Sequence, residues 1–170
     1  MKKLVLSLII LFGFNGMAQQ MNCLTKDAAN GKPMLIGYCT REAFSDSTFS
    51  WWFNSEYNMY DVDSTALKDA SAKLKNDDIT IVMGTWCSDS RREVPRFYKI
   101  LDYLGYPSDK VKLIMVDRNK KGSGKETDGL NIERVPTIIF YNSDKELGRI
   151  VEYPQESLDK DMMKILNGNP

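Results

Sequence analysis

The side chains of this chain that could carry covalent chemistry are few. Histidine is absent, which removes the usual general base, the commonest metal ligand and every Ser-His or Cys-His pair. Three cysteines remain, Cys23, Cys39 and Cys87, and three thiols without a histidine make a poor zinc site. No metal and no cofactor are therefore expected. Cys87 stands out by its setting. Residues 79–95 read Ile-Thr-Ile-Val-Met-Gly-Thr-Trp-Cys-Ser-Asp-Ser-Arg-Arg-Glu-Val-Pro. An apolar, β-branched run fit for a buried strand gives way to a helical pattern with Val94, Phe97, Leu101 and Leu104 on one stripe. This puts Cys87 where a strand ends and a helix begins. There the unpaired amides of the first turn, around Asp89 and Ser90, face the sulfur and favour thiolate. Asp89 opposes that tendency, while Arg91 and Arg92 support it. The chemistry so implied is nucleophilic attack by sulfur; a buried packing cysteine is the other reading of the same residue.

Composition bounds the rest. At 170 residues with 42% hydrophobic content, the chain can build one substantial core. Its 23 basic and 23 acidic residues balance, so nothing marks a nucleic-acid or anionic-membrane surface. Residues 1–18 pair Lys2 and Lys3 with an apolar run and end in Gly16-Met17-Ala18, the pattern of a secretory signal peptide. The run is short for a bilayer span. An exported protein is expected, in the periplasm or outside the cell, where disulfides persist. No stable membrane anchor is expected after cleavage.

The elements that would position Cys87 follow in order. Residues 19–62 form an N-terminal extension rich in aromatics. It has a turn at Asn30-Gly31-Lys32-Pro33, a possible first strand over 34–38, and Phe49, Trp52, Phe53, Tyr57 and Tyr60 at helical spacing, an apolar face for the core. Cys23 and Cys39 flank the turn and could pair as a disulfide, which spacing alone does not settle. From 63 to 170 the pattern runs as follows: a helix capped by Asp63 or Ser64 and reaching about residue 75, the strand into Cys87, a helix kinked at Pro95, a strand over 111–117, a polar loop over 118–128, a hairpin spanning 138–151, and a helix over 157–167. This order predicts an α/β fold, a mixed central sheet with helices on both faces.

With these pieces in line, the stretch from about Asp63 to Leu166 resembles the thioredoxin superfamily. Trp86-Cys87-Ser88-Asp89-Ser90 is similar to the Trp-Cys-x-x-Cys motif with serine in the last place. Pro95 matches the helix proline of that family, and Val135-Pro136-Thr137 is similar to its cis-proline loop. The resemblance implies a cis bond before Pro136, with the Val135 backbone open to pair with an extended substrate. It also implies mixed-disulfide exchange with exported proteins or small thiols. Two departures limit the mechanism. Ser90 cannot resolve a mixed disulfide and is expected instead to hydrogen-bond the thiolate. Ile81 occupies the position of the buried acid that many thioredoxins carry, so the proton relay to a second thiol is missing as well. The expectation is therefore a monothiol, isomerase-like or reductase-like protein acting through Cys87. Two alternatives stand beside it: a dithiol enzyme with Cys39 as a distant resolving thiol, and a non-catalytic binding module using the groove between Trp86 and Pro136.

Overall fold

The computed structural model describes residues 21–168; the expected signal segment over 1–18 lies outside them. Six strands form one mixed sheet: β1 (Cys23–Lys26), β2 (Pro33–Cys39), β3 (Asp77–Met83), β4 (Val111–Met115), β5 (Thr137–Asn142) and β6 (Lys145–Val151), in the spatial order β1-β2-β4-β3-β5-β6. Only β3 and β4 run parallel, while β1–β2, β2–β4, β3–β5 and β5–β6 are antiparallel. The helices are α1 (Ser47–Met59), α2 (Ala70–Leu74), α3 (Ser88–Tyr103) and α4 (Leu158–Leu166). Among the described residues no helix is long and apolar enough to cross a membrane.

The two faces of the sheet are covered differently. Ile79, Ile81 and Met83 of β3, Leu113 and Met115 of β4, and Ile138 and Phe140 of β5 belong to one large core. All four helices feed that core, through Phe49, Trp52 and Phe53 of α1, Ala70 and Leu74 of α2, Val94, Phe97 and Leu101 of α3, and Leu158, Met162 and Ile165 of α4. The alternate residues Val82, Ile114 and Val116 form a second cluster with Val135, Leu130, Ile132, Tyr38, Trp86 and Cys87. No helical element lies between β4 and β5, so helices do not cover both faces as the element order led us to expect. The physical reason is in the sequence between those strands. Rich in Gly, Lys and Asp and without an apolar 3.6-residue period, it closes the second face as a loop.

A buried carboxylate organises that loop. Glu126 accepts from the Ser123 hydroxyl at 2.6 Å and the Gly124 amide at 2.7 Å. Burial pushes its pKa up, but these bonds outweigh it and hold the group below the usual carboxylate range. Gly37 of β2, at φ +79°, passes directly beneath; a Cβ there would stand 2.5 Å from Ser123 Oγ. Only glycine tolerates both the left-handed backbone and that approach.

Other boundaries shift modestly. The helix expected from 63 or 64 to 75 is regular only over Ala70–Leu74, although Asp63 caps the Thr65 and Ala66 amides as expected and its carbonyl accepts from Leu67. The strand expected over 34–38 is β2, which lies inside the sheet between β1 and β4. The aromatics of the 19–62 stretch gather in α1 and the 3-10 turn before it. There Phe44 stacks on Phe53 at 4.7 Å and Arg41 lies over Tyr98 at 4.9 Å while binding Asp102 through two nitrogens.

Candidate active site

Strand β3 ends at Met83, and the chain turns through Gly84-Thr85-Trp86 before α3 begins. The turn is fixed at several points. The Cys87 amide donates to the Gly84 carbonyl at 2.9 Å, Thr85 Oγ1 accepts from the Leu35 amide at 3.3 Å, and Trp86 Nε1 donates to the Val116 carbonyl at 2.9 Å. Gly84 permits this closure, since a Cβ there would fall 2.4 Å from Trp86 Nε1. Cys87 is the N-cap residue of α3, in extended backbone with no side-chain capping bond. Its carbonyl accepts the Arg91 amide at 3.1 Å, the first bond of the helix. The amides of Ser88, Asp89 and Ser90 thus begin a helix with no intrahelical acceptor. Cys87 is partly buried, and its Sγ lies 3.2 Å from the Val135 carbonyl oxygen.

Val135 belongs to the loop entering β5, and the Val135–Pro136 peptide is cis. The Pro136 carbonyl accepts from Glu152 at 2.7 Å, and the Thr137 hydroxyl donates to the Arg134 carbonyl at 2.7 Å. Among the described residues no hydrogen bond takes the Val135 amide. Trp86, Cys87 and Val135 are thus brought together on the loop-covered face.

The remaining expected residues sit less directly on the sulfur. Ser90 is fully buried, and its Oγ accepts from the Gly84 amide at 3.4 Å. The expected bond to the Cys87 thiolate is replaced by one that ties the helix to the end of β3. Arg91 donates through Nε to the Thr85 carbonyl, so it braces the turn. Arg92 is bound to Asp89 at 2.9 Å and to Glu93 at 2.5 Å, so Asp89 and Arg92 offset each other.

Cys23 and Cys39 both carry thiols, without a bridge between them. Burial pushes the Cys39 thiol up to about 11, with the nearby Cys23 adding to the effect. Cys39 pairs with Leu113 of β4, which pairs with Ile81 of β3, so it lies two strands and about 10 Å from β3, level with a residue six positions before Cys87. A disulfide needs Cα atoms within about 7 Å, so this arrangement speaks against Cys39 as a resolving thiol for Cys87. Among the described residues no group of three or more Cys, Asp or Glu side chains is placed to hold a metal ion.

Two residues missing from the sequence reading complete the site. Arg118, just past β4, lies over the Trp86 ring at 4.9 Å. Its Nε and Nη2 grip Asp27 of the β1–β2 turn at 2.8–3.2 Å. The guanidinium bond, aided by the Ala29 amide, holds the Asp27 carboxyl below its usual range. In return Asp27 raises the Arg118 pKa, and a charge on Cys87 acts on it in the same direction. Ninety-one positions separate the two, and no local signal in either segment pointed to the other.

No protein-family model matches this chain, and no curated protein matches it in sequence. Among solved structures, it is similar to the Pseudomonas aeruginosa protein PA1234, a protein of unknown function, at TM-score 0.51 and 16% identity over 78% of this chain and 92% of that one. An HIV epitope-scaffold aligns at TM-score 0.47 with 19% identity, covering 79% of this chain and 85% of the scaffold. Thioredoxin O2 from Arabidopsis thaliana aligns at TM-score 0.34 with 21% identity, covering 51% of this chain and 76% of that chain. The class so defined is an α/β fold with a six-stranded mixed sheet and four helices. In particular, the chain shares its fold with PA1234 over most of both lengths.

Proposed function

We propose that this is an exported thioredoxin-like protein performing thiol-disulfide exchange through one nucleophile, Cys87. The observation that carries the reading is the 3.2 Å approach of Cys87 Sγ to the Val135 carbonyl across the cis Val135–Pro136 peptide. It presents a partly buried sulfur at a helix start, beside a backbone amide available to an extended substrate. The Cys87 thiolate attacks one sulfur of a substrate disulfide, the new Cys87–substrate bond forms, and the other substrate half leaves as thiolate and takes a proton from water. Ser90 cannot displace the bound half. A second thiol, from the substrate protein or a small molecule, must attack the adduct and restore Cys87. Isomerisation and single-thiol reduction both fit this sequence of steps. Trp86 walls the sulfur, Val135, Pro136 and Thr137 hold the substrate backbone, and the partners are exported proteins or small thiols.

The test is incubation of the reduced protein with bis(2-hydroxyethyl) disulfide, followed by intact mass. One adduct is expected, absent in Cys87→Ser. In Ser90→Cys the adduct should be transient, because the introduced thiol displaces it. Absence of any Cys87-dependent adduct sinks the reading in favour of a binding module, which should retain its partner in Cys87→Ser.

A further inference from the structure

Resting on that reading of Cys87, we infer that Arg118 is a specificity-determining residue that directs the site toward disulfides carrying a carboxylate within a few bonds of the attacked sulfur. Three of the arginines on the segments that carry Cys87 and the proline loop are committed elsewhere. Arg91 is turned onto the Thr85 carbonyl, Arg92 is shared by Asp89 and Glu93, and Arg134 is bound to Glu152 at 2.7 Å.

Arg118 is held differently. Its counter-ion Asp27 is almost wholly buried, at 3% side-chain exposure, whereas the Arg118 side chain is 45% exposed. The acid therefore sits inside and the cation outside. Asp27 takes Nε and one edge of Nη2, the Trp86 ring takes one face, and among the described residues nothing bonds Nη1. The conformational cost that a flexible arginine normally meets on binding is thereby reduced. The side chain is held by a bidentate fork, with the Nη1 donors left unfilled. Trp86 is the immediate neighbour of Cys87 and packs in the same cluster, so the ring that carries the guanidinium also walls the sulfur. A carboxylate arriving beside the reactive disulfide meets the unfilled edge of Arg118. An ammonium at the same place is repelled.

The experiment uses the reduced protein and three disulfides of similar length that differ in charge: 3,3′-dithiodipropionate, bis(2-hydroxyethyl) disulfide and cystamine. Second-order rates of Cys87 adduct formation are measured by mass. The expected order is anionic, neutral, cationic, with about fivefold between neighbours at low salt. That spread should shrink at about 0.5 M salt, where the screening length falls to a few ångströms. Arg118→Lys should keep part of the preference. Removing Arg118 alone strands a buried carboxylate, so the decisive variant is the pair Asp27→Asn with Arg118→Gln, which leaves the net charge unchanged. In it the anionic-to-neutral rate ratio should fall to about one, and taking the ratio cancels any change in the sulfur's own reactivity. The inference is overturned if the three probes react with wild type at equal rates, or if the double variant keeps the wild-type ratio. Failure of all three probes to react is a different result and removes the reading of Cys87 itself.

Discussion

One face of the sheet lies under four helices, and the other lies under a loop. The first is sealed mainly by apolar contact, with the buried carboxylates Glu93 of α3 and Asp159 and Asp161 of α4 set among it. Phe97 of α3 meets Phe140 of β5 edge-to-face at 5.9 Å, and Ile79, Ile81, Phe97 and Ile100 are wholly buried. The second is sealed by a handful of apolar residues and a set of buried carboxylates, Asp27 and Glu126, whose oxygens are saturated by named donors. The contrast separates two tasks. Packing against the helices fixes where α3 begins, and hence where Cys87 stands. The loop face supplies what a substrate would meet: a backbone edge, an aromatic wall and an oriented cation.

Substitutions on the two faces should therefore differ in kind, and the largest effect belongs to the helical face. Phe97→Ala removes a fully buried ring and should cost about 3–5 kcal/mol of global stability, read as a lowered urea midpoint. A smaller loss would mean that the core tolerates a void and that the contrast is overdrawn. On the loop face, Gly37→Ala forces a Cβ against Ser123 at a left-handed backbone position and should cost about 1–3 kcal/mol. Its signature should be local. Amides of residues 117–130 should exchange faster with solvent while those of β3 hardly change; uniform acceleration would erase the distinction.

The smallest effect is electrostatic. The Asp27 carboxyl is depressed in the folded state, so its contribution is present above the unfolded carboxylate value near 4 and is lost as pH falls through the folded value. Wild type should therefore lose stability on acidification from pH 5 to pH 3 more steeply than Asp27→Asn. Parallel urea-midpoint profiles for the two proteins would contradict this role.

How much of this could be read from the sequence depends on how far apart the cooperating residues lie. The strand before Cys87, the helix after it and the Val135-Pro136-Thr137 turn are local patterns, and each element stands within a few residues of its expected bounds. α3 runs unbroken through Pro95. β1 escaped notice because one half-buried and three exposed residues leave no alternation to detect. The resemblance to the Trp-Cys-x-x-Cys motif puts Ser90 in the place of a second thiol beside the sulfur, yet the Gly84 amide takes its oxygen. Asp27 and Arg118 were invisible for a different reason: an ion pair across a sheet leaves no trace in the periodicity of either segment.

The buried acid of the β1–β2 turn also bears on how the chain could be divided. The stretch before residue 63 supplies an inner strand, the amide of Leu35 that binds the Thr85 hydroxyl, and the carboxylate that orients Arg118. A shortened protein starting at residue 63 would therefore lose the brace beneath the Cys87 turn along with an edge of its sheet. The corner around Cys87 is assembled from segments on both sides of residue 63 and has no owner in a minimal C-terminal fragment.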